Sequence, residues 1–378
     1  MDQVAEGEHW LTTAEEIDAH DITVEIRYAL EHGCPGIWSL LWGLVMLRMR
    51  HPHMTPVEYL RWTLYRPEVT WEEVRSYVPR RDNLPLNDSL RDRALPQMDD
   101  ILSDKLKTLR FFGGRDLPVV PVLALFCGGR TEADVHLLAS RAEVAAFLAS
   151  REGGIFGKPV ASSRSLGTVA IDGRDAQGNL VLANGKTVPP DVLAAEIAGS
   201  WPQGYLFQPR IHNAAILRTH MGTATGSLRI TTLIGASGEP EVLYAAQRCP
   251  SPGAMHDGVV LQRPSYALAD IHTGQVINLP DPDDLVGPGL THWLDPETPL
   301  VGMVLPGFAE ACRIAIEGHS ALPGHGILGW DIFLTDDGPL ISEVNSNPMH
   351  ALYQRATGKG LLAGDVGERI RARQRAVA

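Results

Sequence analysis

The sequence predicts an α+β protein with a helical N-terminal region, on three observations. Helix-start signals crowd residues 1 to about 100. From about residue 101, short β-branched runs alternate with helix-like segments. The 37 Gly and 27 Pro among 378 residues call for many turns rather than long helical bundles. The length suits two or three lobes better than one core. Hydrophobic residues at 44% and charged residues at 21% are ordinary globular values. With 33 Lys and Arg against 45 Asp and Glu, the formal charge is −12. That balance argues against a sequence-blind nucleic-acid binder.

Taken in order, Thr13-Ala14-Glu15-Glu16 resembles a capped helix start with an acidic first turn. Thr55-Pro56-Val57-Glu58 pairs a capping box with proline at the first helical position, and Thr70-Trp71-Glu72-Glu73 repeats the capping pattern. Residues 79–96 are polar and proline-containing, and read as a connection. Residues 119–125 and 154–160 read as strands, with a helix over 131–150 between them, capped by Thr131 and faced by Val135, Leu138, Val144 and Leu148. Residues 228–235 and 241–246 form a hairpin pattern around Gly238, 306–319 a helix, and 326–335 and 339–345 two further strands.

Cys34, Cys127, Cys249 and Cys312 are far apart, with no C-x-x-C pair. This spacing favours reduced, buried thiols in a cytoplasmic protein over a zinc knuckle or disulfide scaffold. The first ten residues are acidic and lack the apolar stretch of a signal peptide. The most apolar run, 37–47, falls short of the about 20 residues a membrane-spanning helix needs. A buried helix is the expectation there; a helix that touches a lipid or lipid-linked substrate, with Arg48 and Arg50 behind it, is the sharper alternative.

The most informative segment is 329–348. Asp331 interrupts one apolar strand, and Glu343 and Asn345 interrupt the next. Glu343 and Asn345 are two apart and share a face. A two-residue turn at Asp337-Gly338 would turn Asp331 away from them; a three-residue loop Asp336-Asp337-Gly338, ending in a left-handed glycine, would set Asp331 opposite Glu343. The second register is expected. Two carboxylates brought that close repel unless a cation lies between them. Oxygen-only donors suit Mg²⁺, or Mn²⁺, rather than zinc. The competing reading is a pair of acids on a solvent-facing hairpin.

Cations belong opposite such a metal if phosphates bridge them. Lys105 opens a helix, and Lys158 sits among apolar strand residues, where a snorkelling lysine is the ordinary explanation. Ser163 and Gly167 lie in a hydroxyl-rich run that could fold its amides over phosphates. Gln208 is the one amide in an apolar run, and Arg229 and Arg248 lie in strands, where a guanidinium can grip a phosphate or carboxylate. Together with Arg210 they point to an anionic substrate. An arginine capping a sheet edge is an equal account for Arg248 and the lesser one for Arg229.

Read together, these residues resemble the ATP-grasp superfamily. Asp331 followed by Glu343-x-Asn345 matches its magnesium signature. A closer similarity is to the sugar-transfer-associated ATP-grasp family, carried by Glu58 to Tyr65, Ser227 to Thr232, Gly302 to Phe308, Trp330-Asp331-Ile332 and Glu343 to Pro348, over about residues 35 to 362. The resemblance implies an ATP-grasp fold, two α+β lobes clasping ATP, preceded by the helical region. Residues 1–100 would be that region, 101–204 the lobe with the phosphate lysines, 205–365 the lobe with the metal site, and 366–378 a tail. It implies that Lys105, Lys158, Ser163 and Gly167 hold phosphates, Gln208 lies along adenine, and Asp331, Glu343 and Asn345 hold Mg²⁺. Arg229, Lys158 and Arg248 would be catalytic, with Arg229 on the γ-phosphate or acyl phosphate. Three features depart from the pattern: a glycine-poor phosphate loop over 161–169, Leu328-Gly329-Trp330 where many relatives carry an arginine before the metal aspartate, and His256-Asp257-Gly258 in place of an Asn-Gly-Gly-type loop.

The implied activity is ligation: a carboxylate activated as an acyl phosphate and joined to an amine, in saccharide, cell-envelope or natural-product biosynthesis. A phosphotransferase acting on a hydroxyl, or a nucleotide-binding protein without ligase chemistry, stand as alternatives. The expected partners are ATP and a small-molecule carboxylate and amine, with no nucleic acid and no transmembrane segment; a homodimer is compatible with the sequence.

Overall fold

The computed structural model describes residues 9–13, 22–127, 134–162, 165–251, 254–255 and 265–378. A run of short helices leads into two sheets. Helices Pro56–Arg61 and Trp71–Ser76 both start on the expected capping boxes, at Thr55 and Thr70. The start expected at Thr13 to Glu16 runs outside the described residues.

Helix Ile37–Arg50 departs from its expectation. Leu40 and Leu47 are buried, but Trp38 is 82% exposed, Trp42 65% and Met49 70%. Its apolar residues run almost all the way round, so one narrow face packs and the rest is left outward. Residues 79–96 are not simply a connection either: Arg80–Asp88 is a helix, with Pro85 inside it. The prolines hide what holds that helix, the buried Asn83 and Asn87. Among the described residues no helix is long and apolar enough to cross a membrane.

The first sheet has the order β2-β1-β7-β3-β4-β5-β6, from β1 (Ala124–Phe126), β2 (Leu137–Leu138), β3 (Ile155–Pro159), β4 (Val169–Arg174), β5 (Leu180–Leu182), β6 (Thr187–Val188) and β7 (Tyr205–Pro209). Helices Arg141–Ser150 and Pro190–Ser200 cover it, burying Val144, Leu148, Leu193 and Ile197. Two expectations change here. The helix begins only at Arg141, because Ser140 caps it by accepting the Glu143 amide, and Leu137–Leu138 forms a strand before it. Thr131 lies outside the described residues. The strand expected at 119–125 shrinks to β1, since Pro118 and Pro121 have no amide to donate. The residues before β1 instead bond to the second sheet, with Val120 N donating to Ile341 O at 2.9 Å.

The second sheet has the order β11-β10-β9-β8-β12-β13, from β8 (Leu228–Ile234), β9 (Pro240–Cys249), β10 (Ser265–Ala269), β11 (Val276–Asn278), β12 (Ile327–Thr335) and β13 (Gly338–Asn345). All seven residues of β8 are buried, as suits a central β-branched strand. Helix Phe308–Ser320 packs one face. It can approach because residue 318 is glycine: a Cβ there would sit 2.5 Å from the Trp330 ring. Helices Ala351–Thr357 and Gly364–Val377 cover one end of the other face through Leu352, Ala356 and Ile370. The expected tail is thus largely a packed helix. The expected lobe boundary at 205 also moves, because β7 pairs between β1 and β3 in the first sheet.

Candidate active site between the two sheets

The pairing of β12 with β13 decides which side chains meet. The turn holds two residues, Asp336 and Asp337, between paired Thr335 and Gly338, not the expected three. A bulge then restores the expected outcome. Ile332 pairs with Ile341 but Asp331 pairs with Glu343, so Ser342 is the extra residue. The bulge also re-aims the backbone: Lys158 Nζ donates to Ser342 O at 3.3 Å. Lys158, from β3 of the first sheet, is only 3% exposed.

Asp331 is flanked on its other side by Arg229 of β8. Arg229 donates from Nε to Oδ1 at 2.7 Å and from Nη2 to Oδ2 at 2.9 Å, a bidentate grip. Arg248 Nη2 adds a third bond to Oδ1 at 3.2 Å. Asn345 Nδ2 lies 3.5 Å from Oδ2. Burial pushes the Asp331 carboxyl up, but the Arg229 and Arg248 guanidiniums, with Lys158 beyond, outweigh it and hold the group below the usual carboxylate range. Glu343 is half-buried and, among the described residues, has neither a hydrogen bond nor an ion pair.

Three cations and two carboxylates leave this cluster net positive in a chain of charge −12. A net positive cluster of this kind attracts anions. Its donor set also fits a hard divalent cation: Glu343 is unengaged among the described residues, Asn345 shares its strand face and reaches Asp331, and a carboxylate's four or so lone-pair sites leave Asp331 an acceptor position on Oδ2.

A cleft with about 420 Å³ of empty space, part of it open to solvent, lies alongside, walled by Phe333 of β12, Phe156 of β3, Gln208 and Pro209 of β7, and Arg210. Phe333 is two residues from Asp331 and shares its face. Gln208 is buried, with Nε2 donating to Val120 O at 3.3 Å. Arg210 Nε lies 3.1 Å from Asp172 Oδ1 without hydrogen-bond alignment, and burial lowers its pKa. Apolar walls with few polar groups are the usual make-up of a ligand site.

The other candidates stand apart. Lys105 Nζ donates to Ser162 O at 2.6 Å, at the far end of β3, while Asp104 caps its helix through the amides of Leu106 and Lys107. Gly167 is explained without phosphate: its amide donates to Thr12 O, its φ is 75°, and a Cβ would meet Trp201 at 2.5 Å. Ser163 and His256-Asp257-Gly258 lie outside the described residues.

One set of residues escaped the sequence reading. Asn83 and Asn87 donate to Asn347 Oδ1 at 2.8 and 2.6 Å and to Pro348 O at 3.0 Å. His350 Nε2 meets Asn87 Oδ1 at 2.7 Å, and its Nδ1 meets Tyr244 Oη at 2.9 Å. Burial, aided by Arg229, pushes the His350 pKa down to about 3, so the ring is neutral. This network clamps the segment that follows Glu343 and Asn345. The i, i+4 asparagines on an otherwise polar helix were its only sequence signal.

No curated protein matches the chain. Among solved structures, the VanG D-Ala:D-Ser ligase from Enterococcus faecalis is similar over 74% of this chain and 62% of its own, at 14% identity and TM-score 0.44. The D-alanine-D-alanine ligase from Coxiella burnetii is similar over 74% of this chain and 60% of its own, at 13% identity and TM-score 0.38. The L-amino acid ligase from Bacillus licheniformis is similar over 67% of this chain and 42% of its own, at 15% identity and TM-score 0.35. The chain spans less than two thirds of the length of each. A family model for sugar-transfer associated ATP-grasp proteins matches residues 92–367, which hold every residue gathered around Asp331. That match takes in well over half of the chain, and the chain belongs to the sugar-transfer associated ATP-grasp family.

Proposed function

We propose that this protein is an ATP- and Mg²⁺-dependent ligase that activates a carboxylate as an acyl phosphate and joins it to an amine. One observation carries the reading: Arg229, Arg248 and Lys158 converge on Asp331, directly opposite the carboxylate of Glu343, which has no partner among the described residues, beside a cavity between the sheets. In this reading adenine enters the Phe156–Phe333 cavity with Gln208 at its edge. Lys158 takes phosphate oxygens, with Lys105 at the outer end. Asp331, Glu343 and Asn345 would hold Mg²⁺. Bound there, the ion neutralises charge on the phosphates.

Arg229 and Arg248 hold Asp331 in place and keep positive charge where the transferring phosphoryl group develops negative charge. A carboxylate oxygen attacks the γ-phosphorus, the bond to the bridging oxygen breaks, and ADP leaves. The amine nitrogen then attacks the acyl carbon. The carbon–oxygen bond breaks, inorganic phosphate departs, and the nitrogen loses its proton to solvent.

The test is incubation with ATP, Mg²⁺ and a panel of carboxylates in the presence of hydroxylamine. Carboxylate-dependent ADP release with hydroxamate formation is the expected result. ADP release that needs only a hydroxyl compound, with no hydroxamate, would replace the reading with a phosphotransferase.

A further inference from the structure

Helix Ile37–Arg50 lies outside residues 92–367, the segment matched by the family model, and is packed on one side only. At about 100° per residue, Ile37, Trp38, Leu41, Trp42, Val45 and Met49 fall within an arc of about 140°. All of them are exposed, whereas Leu40 and Leu47, roughly opposite, are buried in the core of the N-terminal helices. The helix therefore holds to that core by one stripe and turns a second apolar stripe outward, about 20 Å long. Single apolar residues at a surface are ordinary; a continuous face of them marks a contact surface.

The chemistry of that face narrows its partner. Of the chain's eight tryptophans, Trp38 and Trp42 alone are exposed, one turn apart. Tryptophan concentrates where water meets hydrocarbon, because its ring is apolar and its N–H polar. No acidic residue interrupts the helix, and its last turn carries Arg48, at one edge of the arc, and Arg50, further round. Arg48 Nη1 donates to Pro52 O at 3.4 Å and the Arg50 guanidinium lies 5.3 Å over the Trp71 ring. Neither charge meets a carboxylate among the described residues. The chain as a whole carries −12, which opposes a general pull toward anionic surfaces, so the attraction is local to this helix end. A stable protein interface takes about 20–30 residues a side, and this face offers six. A bilayer sets no such lower limit, since hydrocarbon surrounds each side chain that enters it.

We propose that helix Ile37–Arg50 docks the protein flat on an anionic lipid bilayer. Trp38, Trp42 and their apolar neighbours enter at the level of the headgroups and upper acyl chains, and Arg48 and Arg50 meet lipid phosphates. The helix lies on the membrane and does not cross it, in keeping with its 14 residues. The proposal stands apart from the ligase reading.

The test is co-sedimentation of the full chain with vesicles of phosphatidylcholine alone and of an equal mixture of phosphatidylcholine and phosphatidylglycerol. Binding to the mixed vesicles is expected, with weaker binding to phosphatidylcholine. The double variant Trp38→Ser with Trp42→Ser should weaken it by about tenfold or more. Arg48→Gln with Arg50→Gln should remove the preference for the mixed vesicles. Bromine on the acyl chains should quench tryptophan emission of the wild type and spare that of the tryptophan double variant. If that variant lowers the thermal midpoint, Val45→Gln with Met49→Gln, on the same face, replaces it and should weaken binding likewise. Failure of the wild type to sediment with the mixed vesicles overturns the proposal, as does equal binding by the wild type and a folded variant. A wild-type dimer in sedimentation equilibrium that the tryptophan double variant turns into a monomer, with no vesicle binding, overturns it in favour of a second copy of this chain.

Discussion

Asp331 and Glu343 stand opposite each other but do different work in the folded chain. Asp331 neutralises buried Arg229, so Asp331→Ala leaves a desolvated guanidinium without its partner. A loss of about 3–5 kcal/mol in a urea titration is expected. Glu343 has no partner to lose among the described residues, so Glu343→Gln should shift stability by less than about 0.5 kcal/mol. Both substitutions should lower ADP release at least about 100-fold. Full activity in Glu343→Gln would remove it from the proposed metal set. Residue pKa values also set an acid limit. Burial pushes His319 down to about 4 and His350 down to about 3. Both stay neutral in the folded state while the unfolded chain takes up protons below about pH 6.5. Stability is therefore full above that pH and falls as pH drops toward 4, by about 1.4 kcal/mol per pH unit for each histidine. The depressed Asp331 carboxyl acts in the same direction but lower, losing its contribution only below the usual carboxylate range. Urea midpoints measured from pH 7 to pH 4 should fall, and His319→Gln should flatten the slope.

Among the elements, the capped helices were the most legible, because a capping box is local chemistry within four residues. Thr55 and Thr70 each accept the amide of the glutamate three residues on. Replacing either with alanine should cost about 1 kcal/mol by thermal or urea unfolding. Helix Arg80–Asp88 was illegible for the opposite reason: its stabilising partners, Asn347, Pro348 and His350, lie more than 250 residues along the chain. Asn87→Ala removes bonds to all three. Destabilisation of about 1–3 kcal/mol is expected, together with a lower kcat, because the clamped segment carries on directly from Glu343 and Asn345. A normal kcat in a stably folded Asn87→Ala protein would sever that link. Helix Ile37–Arg50 shows the limit of composition: an apolar run predicts helix, but which of its faces finds neighbours is a matter of what packs beside it.

For the whole molecule, polar contacts among the described residues tie the first sheet to the second through Lys158 to Ser342 O at 3.3 Å, and the segment before β1 to β13 through Val120 N to Ile341 O and Ile341 N to Pro118 O, both 2.9 Å. In the proposed reading, a nucleotide bound between the sheets would add contacts to both. Mg²⁺ with ATP at 100 times its dissociation constant should stabilise the fold by about 2.7 kcal/mol, read as a raised midpoint in scanning calorimetry. ATP with a chelator should raise it less. An unchanged midpoint with Mg²⁺ and ATP would place the nucleotide elsewhere or nowhere.

What the sequence determined alone is the set of local patterns and residue types: the two capping boxes, the hairpin of β8 and β9, the strands β12 and β13, and the acids, amide and basic residues that interrupt apolar runs. These depend on neighbours within a few positions, and alternation and spacing record them. Tertiary structure decided which of those side chains meet. The expected three-residue loop did not form, yet a bulge at Ser342 delivered Asp331 to Glu343 and also turned a carbonyl toward Lys158. The bulge sits inside one hairpin whose turn residues did not announce it. The meeting of Arg229 with Asp331, of Lys158 with Ser342 and the asparagine clamp join segments 102, 184 and 264 residues apart, where no local pattern records the pairing.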